Sequence, residues 1–332
     1  MKILNDVPLK QLHTFHFDYI CKFYTAIYSI DDLLTALQLN FENKLILGNG
    51  SNSIFTKDFD GLIIHNKIPG IEIVQDSFDS VVLKCGGGVL WDDLIDFCCK
   101  NNLYGLENLV GIPGTVGAAP VQNIGAYGVE IANSIKKVDF IKFDSLELLT
   151  LNRQDCNFSY RNSIFKNELK NKGCITHVYF SLSKVPNFNL TYGSLRQNFV
   201  EQEPNLSTVV MTIKKIRNAK IPDPEFHSNA GSFFQNAIIK KSQTKDLLIK
   251  FPNLPVWSID EENDKIASAF LIDQCGLKNF SKYGLKIHDK SPLVIVNENC
   301  HNGENLYKFV DEIKTIIFQK TNVHLTLEPN VF

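Results

Sequence analysis

Gly105 to Glu130 reads GLENLVGIPGTVGAAPVQNIGAYGVE, and the interpretation of this stretch decides the fold. Six of the chain's 19 glycines fall in it, and its only ionisable side chains are Glu107, Tyr127 and Glu130. It has neither the period of a surface helix nor the alternation of a half-buried strand. A long uncharged loop is uncommon in a folded domain and is usually functional where it occurs. Gly111, Gly114 and Gly117 permit positive φ and leave no Cβ between backbone amides and a ligand. With no Lys or Arg in the stretch, any phosphate held here is held by backbone dipoles. Two readings compete: a buried glycine-rich crossover between packed elements, and a backbone cradle for a large, flat, phosphorylated cofactor. The second is the better fit.

Upstream, LWDDLIDFCCKNN (90–102) is an amphipathic helix with Leu90, Leu94, Phe97 and Cys98 on one face, and it leads directly into the loop. Strands are expected at 71–74 and 80–85, the latter ending in Gly86-Gly87-Gly88. Earlier still, KLILGNGSNSIF (44–55) is an apolar strand that breaks into Gly48-Asn49-Gly50-Ser51-Asn52. That turn reads either as an anion nest or as an ordinary hairpin turn. It is neither a G-x-G-x-x-G dinucleotide pattern nor a P-loop, because no Gly-Lys-Ser/Thr follows. A short helix is expected over 31–39 and a β segment over 61–66.

Downstream, a hairpin is expected over 138–143 and 146–151 and a strand over 174–183. Between them, CNFSYRNSIFK (156–166) places Tyr160 and Arg161 in a polar break. Residues 208–220 are helical by pattern and stop at Ile221-Pro222-Asp223-Pro224, the best domain boundary in the chain. HSNAGSFFQNAII (227–239) is turn-rich, DKIASAFLIDQCG (264–276) reads as a helix closed by Gly276, and a strand follows at 293–297. A long helix begins at Gly303, and VHLTLEPNVF closes the chain as a strand carrying Glu328.

Composition narrows the partners. The 332 residues suffice for two or three domains, and a net charge of −2 gives no support for nucleic-acid or membrane-surface binding. Eight cysteines without C-x-x-C spacing, no signal peptide and no run of about 18 apolar residues point to the cytoplasm. The eight histidines are scattered, and no metal site is expected. Only Arg153, Arg161, Arg196 and Arg217 are arginines, so each raises the question of bidentate carboxylate or phosphate recognition.

GSN at 50–52, the GIPGTVGAAPVQNIGAYG run, YRNSIFK, TYGSL, KIPDP, NAGSFFQN and the terminal LEP occur in this order. Together they resemble the UDP-N-acetylenolpyruvoylglucosamine reductase (UDP-N-acetylmuramate dehydrogenase) family, from about residue 13 to the C-terminus, in its class with a substrate-covering tyrosine loop. The resemblance implies an α+β protein: a two-subdomain FAD-binding fold of the vanillyl-alcohol-oxidase type plus a C-terminal α+β substrate-binding domain. The expected partition is 1–68 (with 326–332 returning to it), 69–218 and 219–325. Motif by motif, it implies FAD contacts at Gly48, Asn49, Gly50, Ser51, Asn52, Gly111, Ile112, Pro113, Gly114, Thr115, Gly117, Gln122, Asn123, Ile124, Gly125 and Tyr127.

The implied reaction is NADPH-dependent reduction of the enolpyruvyl ether of UDP-N-acetylglucosamine enolpyruvate to UDP-N-acetylmuramate, in peptidoglycan precursor synthesis. Arg161 would clamp the carboxylate, Glu328 would stabilise the enolate and Ser232 would donate the proton; Tyr192, Lys220 and Asn236 would bind the sugar nucleotide. A monomer is expected. The sequence departs from the family pattern at His13, Asn49, Ser228 and Ala237, none of them in the proposed catalytic trio. An FAD oxidase of the same fold and a non-catalytic flavin- or nucleotide-binding module are the competing readings.

Overall fold

In a computed structural model, which describes residues 1–193, 195–200 and 203–332, the chain divides into two units. The first comprises Met1–Val7, Cys21–Asn49 and Asp60–Arg217; the second comprises Pro8–Ile20, Gly50–Phe59 and Asn218–Phe332. Each contains helices and mostly antiparallel sheets, an α+β construction.

The first unit is built on two sheets. One has the spatial order Leu4–Pro8, Ile20–Ile27, Phe59–Asn66, Lys44–Leu47, its last pair parallel with Leu45 opposite Ile63. Helix Ile30–Gln38 carries the chain between strands; the Ser29 hydroxyl caps it by accepting from the Asp32 amide, and Asp31 and Asp32 occupy its first turn. Its buried Leu33, Ala36 and Leu37 pack with Ile27, Leu62 and Ile64. The second sheet is antiparallel, ordered Leu148–Asn152, Ile135–Lys142, Gly173–Ser183, Ser80–Gly86, Ile71–Asp76. Helix Trp91–Lys100 buries Trp91, Leu94, Ile95 and Cys98 in a core shared with Val138, Val178 and Phe180 of that sheet. The Trp91 indole N–H donates to Leu109 O at 2.8 Å, which satisfies the one polar atom of the largest buried side chain.

The glycines at 86–88 have a packing reason. A Cβ on Gly86 would strike the Pro69 and Ile68 carbonyls, and one on Gly88 would strike Lys67 backbone. The Gly87 amide donates to Thr176 O at 2.7 Å, and its carbonyl accepts from Gly117 N–H at 2.9 Å. The run is therefore where several backbones approach too closely for side chains.

The second unit has a sheet ordered Asn229–Ser232, Val294–Asn297, Leu285–Ile287, Ser281–Lys282 and a three-stranded sheet ordered Ala237–Lys240, Asn263–Ile266, Val256–Ser258. Helix Gly303–Thr321 supplies Leu306, Phe309, Val310, Ile313 and Ile317 to a core that also holds Phe15, Phe17 and Ile54. The chain end, Asn330–Val331, pairs in parallel with Ser53–Ile54, and Phe332 stacks on Phe55 with ring centroids 5.1 Å apart.

Two elements differ from the sequence expectation. Residues 264–276 do not form one helix: Asn263–Ile266 is the central strand of the three-stranded sheet, and the helix is only Ser268–Gln274. Asp264 and Ile266 alternate inward while Asn263 and Lys265 are less buried, so a two-residue period hides at the front of an apolar helical pattern. The stretch 227–239 is not merely turn; it contains the strands Asn229–Ser232 and Ala237–Lys240.

Candidate active site

In the first unit the glycine loop and the turn after strand Lys44–Leu47 come together. A Cβ on Gly48 would stand 2.8 Å from Thr115 Oγ1 and 3.8 Å from the Ala118 Cβ. Within the loop, Gly117 N–H donates to Gly87 O and Val116 N–H to Val89 O, both at 2.9 Å, while Gly111 N–H donates to Asp92 Oδ1 at 2.8 Å. The amides of Gly114 and Thr115 are not consumed by these bonds. Beside the bare Gly48 backbone, these two amides could hold a pyrophosphate.

Gly117 sets how closely the loop lies on the sheet. A Cβ there would sit 2.9 Å from Gly87 O and 3.2 Å from Ile175 O, both backbone atoms. Gly117→Ala is therefore expected to destabilise the protein by about 1–3 kcal/mol, the usual cost of overpacking. Thermal melts of the two proteins check it; an unchanged melting temperature would show that the loop shifts freely.

Asn123 shapes the loop from within. Fully buried at φ +45°, its Nδ2 donates to Glu130 Oε2 (2.8 Å) and Ser159 O (3.0 Å), and its Oδ1 accepts from Ala132 N–H (3.1 Å). Its side-chain amide is thus engaged inside the chain, and it joins the loop to the segment bearing Arg161. The Ser163 hydroxyl adds a second tie, donating to Val121 O at 2.6 Å.

Arg161 is the third of four residues in a tight turn closed by reciprocal Ser159–Asn162 backbone bonds of 3.1 Å, and its φ is +53°. Left-handed backbone at an arginine costs free energy that the surroundings must offset, a common mark of functional positions. Its Nη2 donates to Gly125 O at 3.1 Å, and its guanidinium lies 5.6 Å from the Tyr160 ring centroid. Tyr127, also left-handed at φ +47°, packs edge-on against Tyr192 with centroids 5.9 Å apart. Burial pushes the Tyr127 phenol above its ordinary pKa, Arg217 opposes that shift and Tyr192 adds to it. Ser194 of the TYGSL segment lies outside the described residues.

The second unit holds the remaining candidates. Gly50 is left-handed at φ +66°, and a Cβ there would collide with the Leu12 carbonyl and His13 Cα, so no other residue fits. Asn52 Nδ2 donates to Glu328 O at 3.3 Å, and the Asn52 carbonyl accepts from Asn330 N–H at 2.9 Å. Glu328 N–H donates to Phe233 O at 3.0 Å, while Phe234 bridges Leu327. Glu328 is therefore bonded to the residue next to Ser232: two candidates 96 positions apart share one edge, both half-buried.

Ser232 ends strand Asn229–Ser232 opposite Val294. Asn229, which is buried, braces the approach to it: its Nδ2 donates to Pro222 O (3.0 Å) and His227 O (2.6 Å), and its Oδ1 accepts from Gly231 N–H (2.9 Å). Asn236 Oδ1 accepts from Ser268 N–H at 3.2 Å, and Lys220 is the exposed last residue of helix Leu206–Lys220.

His13, beside Gly50, is 2% exposed, bonded through Nε2 to Phe17 O at 3.3 Å and set edge-on to Phe55. Burial lowers its pKa from 6.5 to about 4. Between those values the unfolded chain takes up a proton that the folded one refuses, so this stabilisation is full above pH 6.5 and lost as pH falls toward 4. The loss is on the order of 3 kcal/mol. His13→Asn is expected to flatten that acid limb, as urea titrations between pH 7 and 4 will show; an unaltered slope would locate the sensitivity elsewhere.

Residues 23–148 match the profile of an FAD binding domain, and residues 223–332 match that of the UDP-N-acetylenolpyruvoylglucosamine reductase C-terminal domain. The UDP-N-acetylenolpyruvoylglucosamine reductase of Bacteroides fragilis (strain YCH46) is 39% identical, with 86% of each chain covered. That of Amoebophilus asiaticus (strain 5a2) is 36% identical, covering 100% of this chain and 99% of the relative. The chain belongs to the UDP-N-acetylenolpyruvoylglucosamine reductase family.

The crystal structure of the Thermus caldophilus UDP-N-acetylenolpyruvylglucosamine reductase covers 100% of this chain and 99% of its own, with a TM-score of 0.69 at 20% identity, and so shares the fold. The expected α+β FAD-binding fold with a C-terminal domain is the observed one. One residue beside the reductase family's glycine loop was not singled out by motif. Arg217 approaches Gly111 to 3.4 Å, measured from Nε to the place of an absent Cβ. The only signal in the sequence was the scarcity of arginine.

Proposed function

We propose that this protein is the FAD-containing, NADPH-dependent oxidoreductase that converts UDP-N-acetylglucosamine enolpyruvate to UDP-N-acetylmuramate in peptidoglycan precursor synthesis. The observation that carries the reading is the order of two matched domains along one chain, FAD-binding at 23–148 and reductase C-terminal at 223–332. FAD, when bound, supplies the hydride chemistry; Gly48, Gly114 and Thr115 would hold its pyrophosphate through backbone amides, with Ser51 and Asn52 as further contacts.

In this reading Arg161 holds the substrate carboxylate and meets the charge that develops on it as the vinyl carbon is reduced. Ser232 gives its hydroxyl proton to the carbon next to that carboxylate. Glu328 is protonated at that moment and donates to the enolate oxygen, because a carboxylate anion there would repel it. Tyr192, Lys220 and Asn236 bind the sugar nucleotide. The balance is one hydride and one proton added across the enolpyruvyl double bond, with NADPH oxidised to NADP⁺.

Three domains follow from the same reading: 1–68 with the chain end, 69–218 and 219–325. Its support is the number of buried clusters, three, centred on Leu33 and Ile64, on Trp91 and Phe180, and on Phe309 and Ile313; the bounds are not those of the clusters, since Phe15, Phe17 and Ile54 pack in the third and Ile141 and Cys174 in the first. The same reading has the protein act in the cytoplasm as a monomer, on the route that serves cell shape and division. Among the described residues no helix is long and apolar enough to cross a membrane.

Stopped-flow mixing of NADPH-reduced protein with the enolpyruvyl sugar nucleotide tests the proposal, the expected result being rapid return of the oxidised-flavin spectrum under nitrogen. Reoxidation by oxygen alone would favour an oxidase. A protein that neither carries nor regains FAD would sink both enzyme readings.

A further inference from the structure

Resting on the reductase reading above, we infer that Asn108 and Asn189 are positioning residues for the sugar nucleotide: together they seat the Tyr192 segment on the tip of the glycine-loop hairpin before the substrate arrives. The end of the glycine loop, Gly125–Ala126 paired with Val129–Glu130, is a hairpin whose two turn residues, Tyr127 and Gly128, have φ of +47° and +79°. A two-residue turn with positive φ at both places leaves its central carbonyls outside the ladder. Both carbonyls are taken by asparagines. Asn108 Nδ2 donates to Tyr127 O at 2.9 Å, and Asn189 Nδ2 donates to Gly128 O at 3.2 Å. Asn108 Nδ2 also donates to Asn189 O at 2.8 Å, so the two asparagines and the hairpin tip close a ring of hydrogen bonds.

From that ring the chain runs directly to Tyr192. Asn189 Oδ1 accepts from the Thr191 amide at 3.2 Å and from its hydroxyl at 2.7 Å, and Leu190 is buried in the core of the first unit's antiparallel sheet. Tyr192 then stands 44% exposed and edge-on to Tyr127; a Cβ on Gly128 would lie 3.5 Å from both the Tyr192 Cβ and Asn189 Nδ2. The base of the same hairpin holds Arg161, whose Nη2 donates to Gly125 O. One hairpin therefore sets the spacing between the guanidinium that meets the carboxylate and the phenol that binds the sugar nucleotide. Stability alone does not call for this arrangement. Asn108 is 1% exposed, and its Oδ1 is buried with no partner among the described residues, a cost that a leucine of similar volume would avoid. A carboxamide supplies what leucine cannot, N–H groups that reach two separate segments at once. A tyrosine on an unpinned segment would have to be ordered at the moment of binding, whereas one already seated binds without that entropic cost.

The test measures the dissociation constant of UDP-N-acetylglucosamine enolpyruvate on holoenzyme, by perturbation of the flavin absorbance, for wild type, Asn108→Leu, Tyr192→Ala and the double variant. Asn108→Leu is expected to weaken binding about tenfold, the worth of one or two hydrogen bonds, with flavin content unchanged and reoxidation at saturating sugar nucleotide within about twofold of wild type. In the Tyr192→Ala background the same change is expected to weaken binding by no more than about twofold, because the seat of an absent ring has no consequence. A further loss beyond that in the Tyr192→Ala background, or an Asn108→Leu constant within about twofold of wild type, overturns the inference. Should Asn108→Leu fail to fold, Asn189→Ala, on the half-buried arm of the ring, is read by the same two criteria. Wild-type holoenzyme that does not bind the sugar nucleotide at all would overturn the reductase reading itself, a separate outcome.

Discussion

Ser232→Ala leaves reduction of the flavin by NADPH within about twofold and slows reoxidation by the enolpyruvyl sugar nucleotide by roughly 10²–10⁴, the range for loss of a positioned proton donor. The asymmetry follows from where the hydroxyl sits. The backbone at this strand end is fixed by other groups: Asn229 anchors the approach, Phe233 N–H donates to Leu293 O, and Phe233 O accepts from Glu328 N–H. Removing one oxygen from a half-buried residue leaves all of those bonds in place. Only the step that needs a proton should suffer. Single-turnover absorbance at the flavin band separates the two half-reactions; equal losses in both would make Ser232 a positioning residue instead.

Arg161→Lys is expected to lower kcat/KM for the sugar nucleotide by about 10²–10³, comparable to losing one donor to a developing oxyanion. A lysine keeps the charge but loses the fork, and one ammonium cannot both donate to Gly125 O and clamp a carboxylate bidentately. The φ of +53° is no easier for lysine than for arginine, so the backbone contribution should cancel between the two proteins. Equal melting temperatures and equal flavin content would confirm that cancellation. A near-normal kcat/KM would remove Arg161 from the carboxylate.

Where apolar period and punctuation agree, sequence pattern and structure coincide. The expected helix at 31–39 is Ile30–Gln38, that at 90–102 is Trp91–Lys100, and the strand at 174–183 is Gly173–Ser183. They part where a strand and a helix abut without a turn, since Asn263–Ile266 runs through Ala267 into Ser268–Gln274 and its inward Ile266 also fits the helical stripe. The site was legible as motifs but not as contacts. Nothing local says that Gly48 faces Thr115, that Asn123 spends its amide on Ser159 and Ala132, or that Asp92 takes the Gly111 amide. Those are decisions of tertiary packing between residues 19 to 67 apart, or 9 in the case of Ala132, and a motif records only that the residue type was required. Arg217 shows the opposite failure: a residue outside any quoted motif, made conspicuous only by what surrounds it.

The division of the chain into units also sets an order of events during synthesis. Residues 8–20 and 50–59 belong with 218–332, so the earliest part of the second unit leaves the ribosome well before its partners exist. At about 5–20 residues per second, Phe15, Phe17 and Ile54 wait on the order of tens of seconds for Phe309, Ile313 and Ile317. During that interval the first unit can close around its own sheets, while three large apolar side chains remain uncovered. A ribosome-bound nascent chain ending shortly after Arg217 would present that state for study, and it is the stage at which a holdase would have most to grip.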